Sequence, residues 1–225
     1  MLSNGNVLIA DYVGNNVIKE YSEDGKHIRD IPCSNGPFDL TVIDSDCIAV
    51  TYGDKKYVEI LDMKNNTVVR KVIFNDECHG ISYQENKLFI IIDGIVITDI
   101  TGRVLQTLDI DCGSYLKTIK DRIYFTCNST VNCISMAGEK IWEHTEKSSG
   151  DLFGITVDDH ENVYVTDVQS NTLIAIQHAG RCSRTLLTET DGLHSPCALY
   201  YNKYKKALLM CNEAELVFLY NLVEY

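Results

Sequence analysis

The sequence predicts an all-β fold, a six-bladed β-propeller whose first and last blades are incomplete. Two observations support this prediction. A tight turn returns every 36 to 42 residues along the 225-residue chain, and β-rich segments precede and follow each copy. A period near forty residues that holds four short strands is typical of a propeller blade. The turns occupy residues 24–26, 65–67, 101–103, 137–139 and 179–181.

Each turn has a glycine or asparagine at its centre, and these two residue types accept the positive φ that a tight hairpin needs. The central residues are Gly25, Asn66, Gly102, Gly138 and Gly180. We name the four strands of a blade a to d in chain order, so that this hairpin joins strands c and d.

Two further β-rich patterns repeat out of phase with the turns and supply strands a and b. Strand a is predicted at 38–42, 79–83, 115–119, 153–157 and 197–201. Strand b is predicted at 7–11, 47–51, 88–92, 123–127, 163–167 and 207–211.

We expect one domain, residues 1–225, with six blades. The blades run approximately over 1–32, 37–74, 78–110, 114–146, 152–189 and 196–225. The first lacks strand a and the last lacks strand d, which would leave unpaired strand edges. We therefore expect further sequence before Met1 that supplies both strands. The alternative is a ring closed by two three-stranded blades.

Composition predicts a cytoplasmic protein with no membrane partner. The longest apolar run, 88–92, is far shorter than the roughly twenty residues of a membrane span. The nine cysteines are odd in number and show no metal-type pairing, Cys127 and Cys133 being the nearest. A reducing compartment suits such a chain.

Two blades resemble the NHL repeat, whose pattern is Gly-Ile-Ala-Val-Asp, then Gly-Asn-Val-Tyr-Val-Ala-Asp or close variants, then Asn-Arg-Ile. Segments 154–158, 162–167 and 171–174 form one copy, and 4–11 with 15–18 form another. The other blades depart from the pattern where these two have Asp11 and Asp167. Thr51, Ile92, Cys127 and Cys211 stand there instead.

This resemblance implies a substrate-recognition domain like those that end tripartite-motif proteins, where RING, B-box and coiled-coil modules come first. It implies binding of a protein or peptide, with the ubiquitin-ligase chemistry and any cofactor outside this domain. Some propellers of this family bind RNA, and we keep RNA binding as an alternative.

The start of strand a places an aromatic ring at the same position in four of five blades, at Phe38, His79, Tyr115 and Phe153. These rings are expected around the mouth of the channel. The alternative is that the four rings only pack between neighbouring blades. This structural role is the more common one for aromatic residues, because their rings bury the most surface. The functional interpretation is a surface that holds an inserted side chain.

The loops on the same face are predicted to be acidic. We select Asp76, Glu77, Asp111 and Asp151 as the carboxylates of the binding site. With a net charge of −12, such a mouth suits a basic segment of a partner and disfavours RNA, whose phosphates are bound by Lys and Arg.

We expect no catalytic residues, no metal site and no cofactor, and hence a domain that is not an enzyme. Metal-dependent lactonase or hydrolase propellers need several ligands converging from strand a. Only Asp39 and His79 are offered there. This hydrolase class remains the second alternative.

Overall fold

The computed structural model describes residues 1–2, 4–147, 150, 152–212 and 217–222. It is all-β apart from one 3-10 turn at Glu189–Asp191. Six separate antiparallel sheets form the blades, and the predicted fold class, a six-bladed β-propeller, is confirmed. The chain divides into two compact units, Met1–Ile110 and Asp111–Tyr225, and each is described by itself. The prediction of a single domain stays a prediction.

The first unit contains three sheets. Their strands are β1 Val7–Asp11, β2 Val17–Tyr21 and β3 His27–Pro32; β4 Asp39–Val42, β5 Cys47–Thr51, β6 Tyr57–Asp62 and β7 Thr67–Ile73; and β8 Ile81–Gln84, β9 Lys87–Ile92, β10 Gly94–Asp99 and β11 Val104–Leu108. In every sheet, strands adjacent in sequence are adjacent in space.

The second unit repeats this order. Its strands are β12 Leu116–Ile119, β13 Arg122–Cys127, β14 Thr130–Ser135 and β15 Lys140–Thr145; β16 Leu152–Val157, β17 Val163–Asp167, β18 Thr172–Ile176 and β19 Ser183–Leu187; and β20 Pro196–Asn202, β21 Ala207–Asn212 and β22 Val217–Asn221. Within the described residues, the first sheet of the chain and the last have three strands each, as the incomplete blades predicted.

The five predicted hairpins have the left-handed backbone that their sequence requires. The φ angles are +81° at Gly25, +53° at Asn66, +87° at Gly102, +89° at Gly138 and +70° at Gly180. An L side chain is strained there, and glycine is not. The repeating turn therefore joins strands c and d in five blades, which the sequence pattern alone had indicated.

Side chains of strand a hold the strand a of the next blade. The Asp39 carboxylate accepts the backbone N–H of Ile81 at 2.9 Å, and the Thr41 hydroxyl accepts that of Tyr83 at 3.1 Å. In the second unit, the Thr156 hydroxyl accepts the N–H of Tyr201 at 3.0 Å. Because a buried donor without an acceptor is costly, these bonds fix the inner strands and the residues that start them.

Candidate functional site

Three rings of the first unit meet in an edge-to-face series that we call the Tyr12 patch: Tyr12, Phe38 and His79. The ring centroids of Tyr12 and Phe38 lie 5.6 Å apart with planes at 89°, and those of Phe38 and His79 lie 5.4 Å apart at 78°. Tyr12 is 48% exposed. The patch thus offers an aromatic surface to solvent.

Local geometry explains why the patch forms where strand b ends. The Asp11 carboxylate accepts the N–H of Gly14 at 2.9 Å and so closes the loop that presents Tyr12. Gly53 lies beneath the rings with φ +61°, and a Cβ there would sit 3.3 Å from both Phe38 and the Tyr12 hydroxyl. Glycine therefore allows the loop after β5 to approach the patch closely.

His79 is held at both its backbone and its ring. Its N–H donates to the carbonyl of Ile91 at 2.9 Å. The ring Nε2 lies 3.8 Å from Oε2 of Glu77, and the buried Nδ1 has no hydrogen-bond partner among the described residues. The Nε2 side therefore faces the carboxylate of Glu77, a predicted site residue.

The carboxylates near the patch are less free than the sequence suggested. Asp76 lies 3.5 Å from the Lys56 ammonium, which also donates to the carbonyl of Asn75 at 3.0 Å. The pKa of Asp76 is lowered by the backbone N–H of Glu77 and then by Lys56. Two lysines of the loop after β5, Lys55 as well as Lys56, thus share this surface with the acids.

The second unit holds the other predicted aromatic pair. The rings of Tyr115 and Phe153 lie 6.0 Å apart, tilted by 43°. Tyr115 is partly buried against a core cluster that includes Tyr124, which fits the packing interpretation for this residue. Asp111 is exposed. Asp151 lies outside the described residues, and the combined ring of four aromatic positions stays a prediction.

Sequence reasoning missed Tyr12 and Gly53. It aligned the starts of strand a and did not extend the comparison to the residues after strand b. A signal was present, because Tyr12 directly follows Asp11, the last residue of a well-matched repeat. Asp167, at the equivalent position, likewise accepts the N–H three residues ahead, from Ser170 at 3.0 Å.

No group of three or more His, Cys, Asp or Glu side chains is placed to hold a metal ion in the part of the chain that the structure describes. Asp39, one of two donors considered from the sequence, uses its carboxylate on backbone N–H groups. Across the described residues, no helix is long and apolar enough to cross a bilayer.

Similarity to known proteins lies in the fold. No protein-family model and no curated protein matches the chain. Among solved structures, a streptogramin B lyase superposes with a TM-score of 0.71 at 15% identity, over 99% of this chain and 81% of that chain. Virginiamycin B lyase from Staphylococcus aureus gives 0.70 at 14%, over 100% and 84%. Hydrazine synthase from Kuenenia stuttgartiensis gives 0.77 at 13%, over 97% and 74%.

At these identities the likeness shows the fold, a β-propeller, and nothing finer. The names of the matched structures correct our expectation about catalysis. We expected a domain that is not an enzyme because strand a offers few catalytic groups, but the three matched propellers bear the names of enzymes. That expectation is contradicted, because a sparse set of residues on one strand per blade does not exclude catalysis in this fold.

Proposed function

We propose that this chain is a recognition propeller that binds a basic segment of a protein partner at the Tyr12 patch. The observation that carries the proposal is the edge-to-face series of exposed Tyr12 with half-buried Phe38 and His79, beside Glu77. An arginine or lysine over an aromatic face is attracted by the ring, and a neighbouring carboxylate adds charge complementarity.

The exposure of Tyr12 supports a binding role over a packing role. A ring that only fills the space between blades is buried, as Tyr52 and Tyr124 are. Tyr12 instead leaves about half of its surface in solvent while its neighbours fix its edge-to-face orientation. A rigid aromatic side chain loses little entropy on binding, which suits an anchor position.

An aromatic face of this unit already holds a cation of the chain. The Lys71 ammonium lies 3.3 Å above the centre of the Tyr57 ring and 3.1 Å from the carboxylate of Glu59. Burial lowers the pKa of Lys71, but the hydrogen bond and charge of Glu59 raise it more. The same combination of ring and carboxylate is offered to a ligand by Tyr12, Phe38 and Glu77.

The test uses a fluorescein-labelled glycine peptide with one central arginine and its citrulline counterpart, which keeps the shape and removes the charge. We expect the arginine peptide to bind more tightly in a fluorescence anisotropy titration. Tyr12→Ala should weaken it about 2- to 30-fold, the equivalent of ~0.5–2 kcal/mol of cation–π attraction. Equal affinity for both peptides would overturn the proposal.

Tyr204→Ala is the matched control, because Tyr204 is 81% exposed in the turn between β20 and β21. It should bind the arginine peptide as the wild-type chain does. A labelled single-stranded RNA in the same titration tests the alternative of RNA binding, and we expect none, because nucleic-acid affinity rests on basic residues.

The proposal extends to substrate recognition for a cytoplasmic ubiquitin ligase of the tripartite-motif type. Its support is the resemblance of two blades to the NHL repeat, together with the shared role of Asp11 and Asp167 in closing equivalent loops. Proximity labelling of the full protein in cells should recover ubiquitin-conjugation enzymes and a partner that Tyr12→Ala loses. Recovery of the partner without any ubiquitin machinery would remove this extension.

A lyase reaction is the second candidate function. Two matched structures are lyases by name, and Glu77 Oε2 lies 3.8 Å from His79 Nε2, within the range of an ion pair. Histidine is the side chain that most often transfers protons in catalysis. Incubation with streptogramin B, followed by liquid chromatography and mass spectrometry, is the measurement. If streptogramin B is consumed by the wild-type chain and not by a His79 variant, the candidate function is supported. If the wild-type chain leaves it unchanged, streptogramin B is not a substrate.

A further inference from the structure

A groove opens in the first unit beside the Tyr12 patch, between the end of β7 and the strands β9 to β11. Its volume is about 300 Å³. The groove is lined by Phe74, Asn75, Asp76, Ile92, Asp93, Val96, Val104 and Thr107. Four of these residues are apolar and four are polar, and the two carboxylates of Asp76 and Asp93 lie at exposed positions. Nothing in the proposed arginine site of the Tyr12 patch uses this space.

We propose that this groove is a second subsite that receives an arginine side chain from the same partner segment. The inference rests on the proposed function, because it assigns the next contact of the segment that the Tyr12 patch binds. A long side chain with an apolar stem and a cationic head fits walls of Ile92, Val96 and Val104 below two carboxylates.

A cation of the chain already contacts two residues that line the groove. The Lys56 ammonium donates to the Asn75 carbonyl at 3.0 Å and lies 3.5 Å from Asp76. This contact shows that the end of β7 accepts a positive head group at the rim. An incoming guanidinium can bind the exposed carboxylate of Asp93, since its planar fork presents two donors to the two carboxylate oxygens.

The volume argues for one side chain and against a small-molecule ligand. A space of about 300 Å³ is at the lower limit of ligand pockets, which enclose most of their ligand. Val104 is 53% exposed and leaves apolar surface for the stem of the arginine to cover.

The path between the two subsites sets the spacing of the partner. Asp76 and His79 are three residues apart, so their backbones are separated by at most ~11 Å. A segment in extended conformation covers ~13 Å in four residues. Two arginines separated by three residues are therefore far enough apart to reach both subsites, and we assign this motif to a partner segment bound as one strand across the patch and the groove.

The experiment compares two labelled glycine peptides by fluorescence anisotropy, one with a single arginine and one with two arginines separated by three glycines. On the wild-type chain the second arginine should improve affinity about tenfold, because its binding is intramolecular once the first is held. Val104→Lys places a cation in the groove and should remove this advantage without changing the affinity for the single-arginine peptide.

Val69→Lys is the matched control, because Val69 is 60% exposed on β7 and does not line the groove. It adds the same charge to the same unit and should keep the tenfold ratio. Asp93→Asn, a milder variant at an exposed position, should reduce the ratio to about threefold. Because the ratio compares the affinities of the two peptides for the same variant, any general effect of the substitution on folding or charge cancels.

The outcomes separate this inference from the proposed function. A tenfold ratio that survives in Val104→Lys and Asp93→Asn would overturn the groove subsite while leaving the Tyr12 patch standing. A single-arginine peptide that ignores Tyr12→Ala would overturn the proposed function instead. A wild-type chain that binds neither peptide would overturn both.

Discussion

Replacing the hairpin glycine by alanine should have very different effects in two blades. Gly25 and Gly102 occupy the same turn position, with φ +81° and +87°. They differ in what an added Cβ would meet. At Gly25 no atom lies within 4 Å, whereas at Gly102 the Cβ would lie 2.5 and 2.6 Å from the two methyl groups of Val72 on β7.

The expected free energies follow from these contacts. An L residue in the left-handed region costs about 1–2 kcal/mol, and the lower entropy of the unfolded chain offsets about 0.4–1 kcal/mol. Gly25→Ala should therefore lower the free energy of unfolding by about 1 kcal/mol. Gly102→Ala should add an overpacking cost of about 1–3 kcal/mol against Val72, for a total of about 2–4 kcal/mol.

Urea unfolding followed by far-UV circular dichroism measures both values. A background of Val72→Ala provides the control, because it removes the two methyl groups. In that background, Gly102→Ala should lose most of its extra cost relative to Gly25→Ala, and only the Cβ of residue 72, 3.1 Å away, remains close. The non-additivity of the pair measures the contact directly.

Equal losses of stability for Gly25→Ala and Gly102→Ala would refute this reasoning. They would mean that the β10–β11 hairpin does not rest on Val72 of the preceding blade. A Gly102→Ala penalty that persists in full without the Val72 methyl groups would place the strain in the turn itself.

Two further predictions concern pH and cysteine chemistry. Burial raises the pKa of Glu20, but hydrogen bonds from Asn6 and Arg29 lower it below its ordinary 4.5 overall. The stability that the Glu20 carboxylate contributes should be complete above pH 4.5 and should fall as the pH drops through the lowered pKa. In urea titrations, the difference in the free energy of unfolding between the wild type and Glu20→Gln should therefore shrink in that pH range. With a thiol reagent at pH 8, exposed Cys182 should react in the native state, whereas buried Cys133, whose pKa burial raises to about 11, should react only on unfolding. Similar rates at both cysteines would contradict the burial of Cys133.

The strands were predictable because their signals are local. Strand b was predicted at 47–51 and 163–167 and is observed at Cys47–Thr51 and Val163–Asp167. Alternating apolar residues, bounded by turns with glycine or asparagine, determine such strands within a few residues. The predicted start of strand a at His79 is less accurate, since β8 begins at Ile81.

The candidate site was predicted in part. Phe38 and His79 were aligned from the repeat, and the structure brings their rings together. The partner of Asp76 was not foreseen, because Lys56 belongs to a different loop and the ion pair depends on how two loops of one blade meet. Charge counted along a sequence shows composition, and pairing of the charges depends on tertiary contacts.

The sequence by itself determined the blade period, the hairpin positions and the all-β fold class, since each rests on the conformational preferences of neighbouring residues. Only the tertiary structure decided that Tyr12 contacts Phe38 edge to face, that Gly53 leaves room for both, and that a groove opens beside Asp76. These features join residues of different strands and loops. Their positions depend on how the sheets pack against one another, and that packing arises from the summed burial of many side chains, which no local pattern encodes.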